Sequence, residues 1–363
     1  MDRRDFLKSG ALLAGAGLLP LRQAGAAQAS VGEPGWRIFE ITTKVELPAG
    51  KDASRAWLPL PSVDEPDWTR PMGNLWQGNA VDMRVLRDGR YGADMLYAEW
   101  VPGAPASLEV VSRFAARDRA VDLSRNGDAA PLAPETAALY TRPTLLLPTD
   151  GIVLATARDI TKSARGDLEK AQAIYEWVVE NTFRNPKTRG CGLGDIKFML
   201  ETGDLSGKCA DLNALYVGLA RSVGLPARDV YGVRVTESRL GFKCLGKSGD
   251  ISKGQHCRAE VYLTGHGWVP VDPADVRKVA LEEPPGHLTL ADEPVKKARR
   301  LLFGAWETNW LAYNFAHDLD LPHAQGPRLP FLMYPQAEVD GQRLDCLDPG
   351  KFKYQIASRE LTA

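Results

Sequence analysis

GKCADLNALYVGLARSVGLPARDVYGVRV, Gly207 to Val235, is the stretch that decides the fold. Leu212, Leu215, Tyr216, Leu219 and Val223 mark out one apolar helix face. Gly224 stands where a helix stops, and Pro226 has no N–H with which to continue it. Ser206 is the expected N-cap, which puts Cys209 in the first turn. A thiol there faces backbone N–H groups that lack helical partners and the positive end of the helix dipole, and both favour thiolate. A lone cysteine at a helix start is more often packing than chemistry, so the neighbouring segments decide its meaning.

Downstream comes GQHCRAEVYLTGHGWVPVDPADV, Gly254 to Val276. His256, Arg258, Glu260 and Tyr262 alternate with Cys257, Ala259, Val261 and Leu263, the period of a strand. Thr264-Gly265-His266-Gly267 then turns the chain into a second strand, Trp268 to Val271. An antiparallel hairpin about that turn carries Asp272 back beside His256. A helix-start thiol, a histidine and an aspartate that orients the imidazole are the parts of an activated nucleophile.

Upstream, Asp167 to Asn181 places Leu168, Ala171, Ile174, Tyr175 and Val178 on one helical face. Gly190-Cys191-Gly192-Leu193-Gly194 lacks the lysine and hydroxyl residue of a phosphate loop, and is expected to be a flexible turn. From Trp36 to Asp122 the chain alternates in short runs punctuated by Pro and Gly clusters, the pattern of a β-sandwich. The aromatic tail from Trp306 to Tyr334 is expected to pack across the core and border the substrate cleft. His266, His287, His317 and His323, with Asp318 and Asp320, match no zinc spacing, so neither metal nor cofactor is expected.

The chain opens with Arg3-Arg4, Phe6-Leu7-Lys8 and an apolar run from Ala11 to Leu21. That run is far short of the roughly twenty residues a bilayer core requires, and Ala27-Gln28-Ala29 offers a small-x-small cleavage site. These features predict a twin-arginine signal peptide over 1–29, the export machinery as a partner, and a periplasmic mature chain with no transmembrane segment. A net charge of −1 gives no basic footprint for nucleic acid. Five cysteines, Cys191, Cys209, Cys244, Cys257 and Cys346, suit an exported chain; with Cys209 as the working thiol, the other four admit three disulfide pairings.

Gly207-Lys208-Cys209-Ala210-Asp211, the Gly224-Leu225-Pro226-Ala227-Arg228 helix end, the His256 strand and Gly267-Trp268-Val269-Pro270-Val271-Asp272-Pro273 together resemble the bacterial transglutaminase-like proteins of the papain-like cysteine superfamily. The resemblance implies an α+β fold, a papain-like core preceded by an all-β immunoglobulin-like sandwich. The expected organisation is a β-sandwich over 30–132, a cysteine core over 133–285 and a C-terminal extension over 286–363 that packs on the core. The resemblance further implies Cys209 as nucleophile, His256 as general base and acid, and Asp272 as the orienting residue, with a structural hydrogen-bonding role for Asp211. Cys257 and Arg258 stand where the family places an aromatic, which predicts a charged pocket wall beside His256. Phe183 replaces a tyrosine found in some relatives and cannot donate.

The expected activity is hydrolysis of a peptide or amide bond through a thioester, on a peptide or protein substrate. Two alternatives stay open: an amide acyltransferase using the same residues, and a binding or scaffold protein that retains them without turnover.

Overall fold

The computed structural model describes residues 35–125 and 127–361. The expected signal peptide, 1–29, lies outside the described residues. The apolar face read between Leu212 and Val223 forms the central helix of the core. Seven helices are present among the described residues: α1 Pro134–Thr141, α2 Gly151–Thr161, α3 Asp167–Asn181, α4 Ile196–Thr202, α5 Cys209–Ser222, α6 Pro273–Glu282 and α7 Glu293–Leu301. α5 is enclosed on every side: Leu215, Tyr216, Val217 and Leu219 have no exposed surface. Burying such side chains stabilises by about 1.5–3 kcal/mol each. The helix ends as read, with Gly224 in the left-handed region at φ 85° and its N–H donating to the Arg221 carbonyl.

The start of α5 differs from expectation. Lys208, not Ser206, is the N-cap residue, and its backbone N–H donates to the Asp211 carboxylate at 2.9 Å. Ser206 instead belongs to a two-residue strand, Ser206–Gly207, pairing in parallel with Phe183–Arg184. An acid at the third helical position caps this end, so a hydroxyl ahead of the helix is not needed.

α5 packs on a four-stranded antiparallel sheet ordered Gly267–Val271, Gln255–Leu263, Ala227–Arg234, Trp310–Asn314. The hairpin register pairs Leu263 with Gly267 and Ala259 with Val271, so Asp272 follows directly level with Arg258. Side chains alternate along a strand, so Arg258 and His256 share a face, and Asp272 falls on the same side.

Two further antiparallel sheets, five strands each, pack face to face. One runs Gly249–Asp250, Lys353–Leu361, Arg37–Leu47, Ala106–Ala116, Thr69–Gly78; the other runs Gln342–Arg343, Gln336–Val339, Ser54–Pro59, Asp94–Trp100, Asp82–Arg87. Val45, Leu108 and Val110 of the first meet Leu58, Leu96, Trp100 and Ala337 of the second in one core. Farther along the same face of the first sheet, Phe39, Ile41 and Phe114 pack on Val233, Leu311 and Tyr313 of the α5 sheet.

Residues 286–363 do more than pack on the core. They complete all three sheets: Trp310–Asn314 closes the core sheet, Gln336–Val339 pairs with Ser54–Pro59, and Lys353–Leu361 pairs with Arg37–Leu47. The two-sheet layer is therefore drawn from both ends of the chain and not from 30–132 alone. Each of these pairings covers a strand edge that would otherwise present unpaired backbone groups. No helix of the described residues is long and apolar enough to cross a membrane.

Candidate active site

Cys209 is the first residue of α5, and the carboxylate three positions after its cap fixes the loop around it. Asp211 accepts from the N–H groups of Leu193 and Gly194, each at 3.0 Å, as well as from Lys208. Burial nonetheless lifts the Asp211 carboxyl above its ordinary range. The glycine-rich stretch is thus clamped, contrary to its reading as a flexible turn. Gly192 has φ 93°, and a Cβ there would lie 1.8 Å from Asp211 Oδ2, so only glycine fits. The clamp holds Cys191 against α5, where its carbonyl accepts from the Ala210 N–H at 2.9 Å.

All five cysteines are free thiols. Cys209 lies well below the ordinary thiol range, chiefly because the Cys191 and Cys257 thiols hydrogen-bond to its sulfur. His256 adds a hydrogen bond and charge, and together these outweigh burial. Cys191 moves the opposite way, raised by its hydrogen bond to Cys209 and by burial; Cys257 is raised by burial and then by Cys209. Of the three buried thiols, Cys209 is therefore the one favoured to ionise, while Cys191 and Cys257 are held protonated.

The imidazole is held from behind. His256 Nε2 lies 2.8 Å from Asp272 Oδ2 and 3.5 Å from Asp275 Oδ2, which leaves Nδ1 as the nitrogen for the sulfur. Burial and Arg234 both oppose charge on His256, but Asp275 and Asp272 overcome them and raise its pKa. Burial and Asp275 raise Asp272, whereas Asp275 itself is depressed because Arg234 and His256 outweigh its own burial. Asp272 also caps α6, accepting from the Asp275 N–H at 3.1 Å. Asn213, one turn beyond Cys209, donates to Asp272 Oδ1 at 3.2 Å and to the Cys257 carbonyl at 2.7 Å. One side chain of the cysteine helix thereby fixes both the aspartate and the histidine strand.

Cys209 and His256, though only 4% and 3% exposed, line a cleft of about 640 Å³. The clamped glycine loop and the start of the histidine strand border it, and Tyr334, Phe352 and Tyr354 supply an aromatic wall from the C-terminal segment. Gln255 also lines the cleft; its carbonyl accepts from the Cys191 thiol at 3.3 Å, while its buried Nε2 has no hydrogen-bond partner.

The cleft beside His256 is charged as expected, but Arg258 does not contribute to its wall. Arg258 is buried over Trp310, 4.8 Å from the ring centre, and donates to the Glu307 carbonyl; burial pulls its pKa down to about 10. Phe183 is exposed beneath the Arg277 guanidinium and does not line the cleft. His317 faces Asp229 and Tyr231, and His323 faces Arg84 and Tyr97. Among the described residues, the three potential metal ligands that cluster are His256, Asp272 and Asp275, and Arg234 and Arg258 already engage those carboxylates. Asn213, Asp275, Arg234 and Gln255 are the site residues that sequence reasoning missed. A polar residue four after Cys209 on a buried helix was the available signal for Asn213.

Residues 154–273 match the family model described as the Transglutaminase-like superfamily, a span that includes Cys209, His256 and Asp272. An uncharacterized protein of Haemophilus influenzae is 35% identical over 345 residues, covering 89% of this chain and 92% of its own length. A crystal structure from Cytophaga hutchinsonii, described as a candidate cysteine protease, superposes with a TM-score of 0.58 at 10% identity, covering 90% of this chain and 92% of that one. At that identity the likeness concerns the fold.

Proposed function

The chain belongs to the transglutaminase-like superfamily, and from that premise we propose that it is an exported thiol hydrolase of peptide or amide bonds, with Cys209 as nucleophile, His256 as base and acid, and Asp272 orienting the imidazole. The observation that carries this reading is Cys209 at a helix start, lining one cleft with an imidazole pinned by Asp272; the downward direction of its thiol pKa agrees. The thiolate attacks the carbonyl carbon, forming a C–S bond and an oxyanion. The N–H of Cys209 and Nε2 of Gln255 are the donors assigned to that oxyanion, and one such donor contributes about 10²–10³ in rate. Imidazolium then protonates the departing amine as the C–N bond breaks. Water, deprotonated by His256, opens the thioester to a carboxylic acid and restores the thiol. Asp272 keeps one imidazole nitrogen engaged so that the other faces sulfur.

The Arg3-Arg4 leader supports export by the twin-arginine route and a periplasmic site of action. The test is turnover of a peptide mixture in ¹⁸O-water. The expected result is ¹⁸O in one new carboxyl group per cleaved bond, a transient acyl adduct on Cys209, and neither signal with Cys209→Ser. Capture of added primary amine in place of water would make the enzyme an acyltransferase. Absence of any acyl adduct would leave a scaffold.

A further inference from the structure

The cleft is markedly one-sided in charge for a chain whose Lys plus Arg and Asp plus Glu number 45 and 46. Its lining holds eight lysines and arginines and no aspartate or glutamate. Four of the eight are answered by acids set behind the wall: Arg184 and Lys278 by Glu282, Arg189 by Asp345 and Arg234 by Asp275. The other four, Lys208, Lys243, Lys247 and Lys253, make no ion pair among the described residues. Lys208 immediately precedes the nucleophile, and the other three lie on the segment that leads into His256. Asp250 acts on Lys247 and Lys253, and Glu283 on Lys243, from beyond ion-pair distance, so lysines without a close acid flank the thiol along both of the chain segments that build the site.

Gln255, about nine-tenths buried, sets in the same cleft its unpartnered Nε2, the donor assigned above to the oxyanion. A volume of about 640 Å³ with an aromatic wall of Tyr334, Phe352 and Tyr354 has room for several peptide residues, more than a small anion fills.

We infer that the cleft takes an acidic peptide, its carboxylates seated on Lys208, Lys243, Lys247 and Lys253 on either side of the amide presented to Cys209. The inference rests on the reading of Cys209 as the nucleophile and names the substrate class for that site. Single exposed lysines contribute little, but like charges gathered around a low-dielectric cleft focus their field and raise the encounter rate with anions.

The experiment uses the mature chain and two peptidyl chloromethyl ketones identical except that one carries two glutamates and the other two glutamines. The rate of Cys209 alkylation is read by intact mass, with iodoacetamide as a small neutral reference. At an ionic strength of about 0.01 M the glutamate probe is expected to react about tenfold or more faster than the glutamine probe. The ratio should fall toward one at 1 M salt, where the screening length shrinks from about 30 Å to about 3 Å. It should also fall in the Lys243→Gln/Lys247→Gln/Lys253→Gln variant; the salt series on the unaltered chain gives the same answer if that variant misfolds. A ratio of one or less at low salt, with the glutamine probe still reacting in a His256-dependent way, overturns the acidic-peptide inference and leaves the nucleophile standing. Failure of both probes and of iodoacetamide at Cys209 overturns the nucleophile, and this inference falls with it.

Discussion

Two charge systems lie along the Gln255–Leu263 strand, and they are built on opposite rules. Toward its far end Glu260, with no exposed surface, is met by both Arg228 and Arg119. Arg228 also reaches Glu65 at 3.0 Å and lies over Phe315 at 3.7 Å and Trp268 at 4.0 Å. Burial works against the charges of Glu260 and Arg228, yet Glu260 stays depressed because Arg228 and Arg119 outweigh its burial. At the near end, His256, Asp272, Asp275 and Arg234 are paired just as closely, but His256 and Cys209 open on a cleft whose lining holds lysines and arginines and no acid. Charge that stabilises structure is closed on itself. On the proposed reading, charge that serves a ligand is left with an open valence.

Breaking the closed system should give the largest effect. Glu260→Gln leaves two buried guanidinium groups facing a neutral amide and should destabilise by about 3–5 kcal/mol, read as a fall in urea midpoint. A loss below about 1 kcal/mol would show that the network is not closed in solution. The hinge between the two systems comes next. Asn213→Ala leaves Asp272 Oδ1 and the Cys257 carbonyl each short of a donor, at a cost of about 1–3 kcal/mol. Because Asn213 positions Asp272, it should also slow Cys209 alkylation, and recovery of the rate with a buried donor such as Asn213→Gln would set positioning apart from general weakening. Cys191→Ala removes the foremost stabiliser of the thiolate, so the pH at which Cys209 becomes reactive should rise toward the ordinary thiol value. The smallest effect on stability belongs to the open system: Lys243→Gln, at an exposed position, should change the urea midpoint by no more than about 0.5 kcal/mol. Any larger loss would mean that this lysine has a structural partner.

How much of this the sequence disclosed follows from the range of the interactions. Cys209, the α5 face and its Gly224 stop obey local rules, and the turn at Gly265–Gly267 fixes a register that carries Asp272 to His256 within one hairpin. Asp275 and Asn213 are close in sequence to residues that were read, but their roles appear only when α5 and α6 meet. The β-pairing of Lys353–Leu361 with Arg37–Leu47 spans almost the whole chain, and no local period announces it. The same distance hid the C-terminal wall strands that bring Phe352 and Tyr354 to the cleft. The position of Arg258 beside Cys257 suggests a pocket residue, but the tryptophans that cover it, Trp306 and Trp310, arrive from two strands outside the hairpin.

The most direct test is the pH profile of Cys209 alkylation by a neutral reagent, measured on the unaltered chain and on His256→Ala. A thiol depressed by its donors is ionised well below the ordinary thiol value, so the rising limb should sit on the acid side of it and the rate should already be high at neutral pH. Removing the imidazole withdraws a hydrogen bond and a positive charge, which should move the limb upward in pH and slow the neutral rate. A limb at the ordinary thiol value in both proteins, with the same slow rate at neutral pH, would contradict the account.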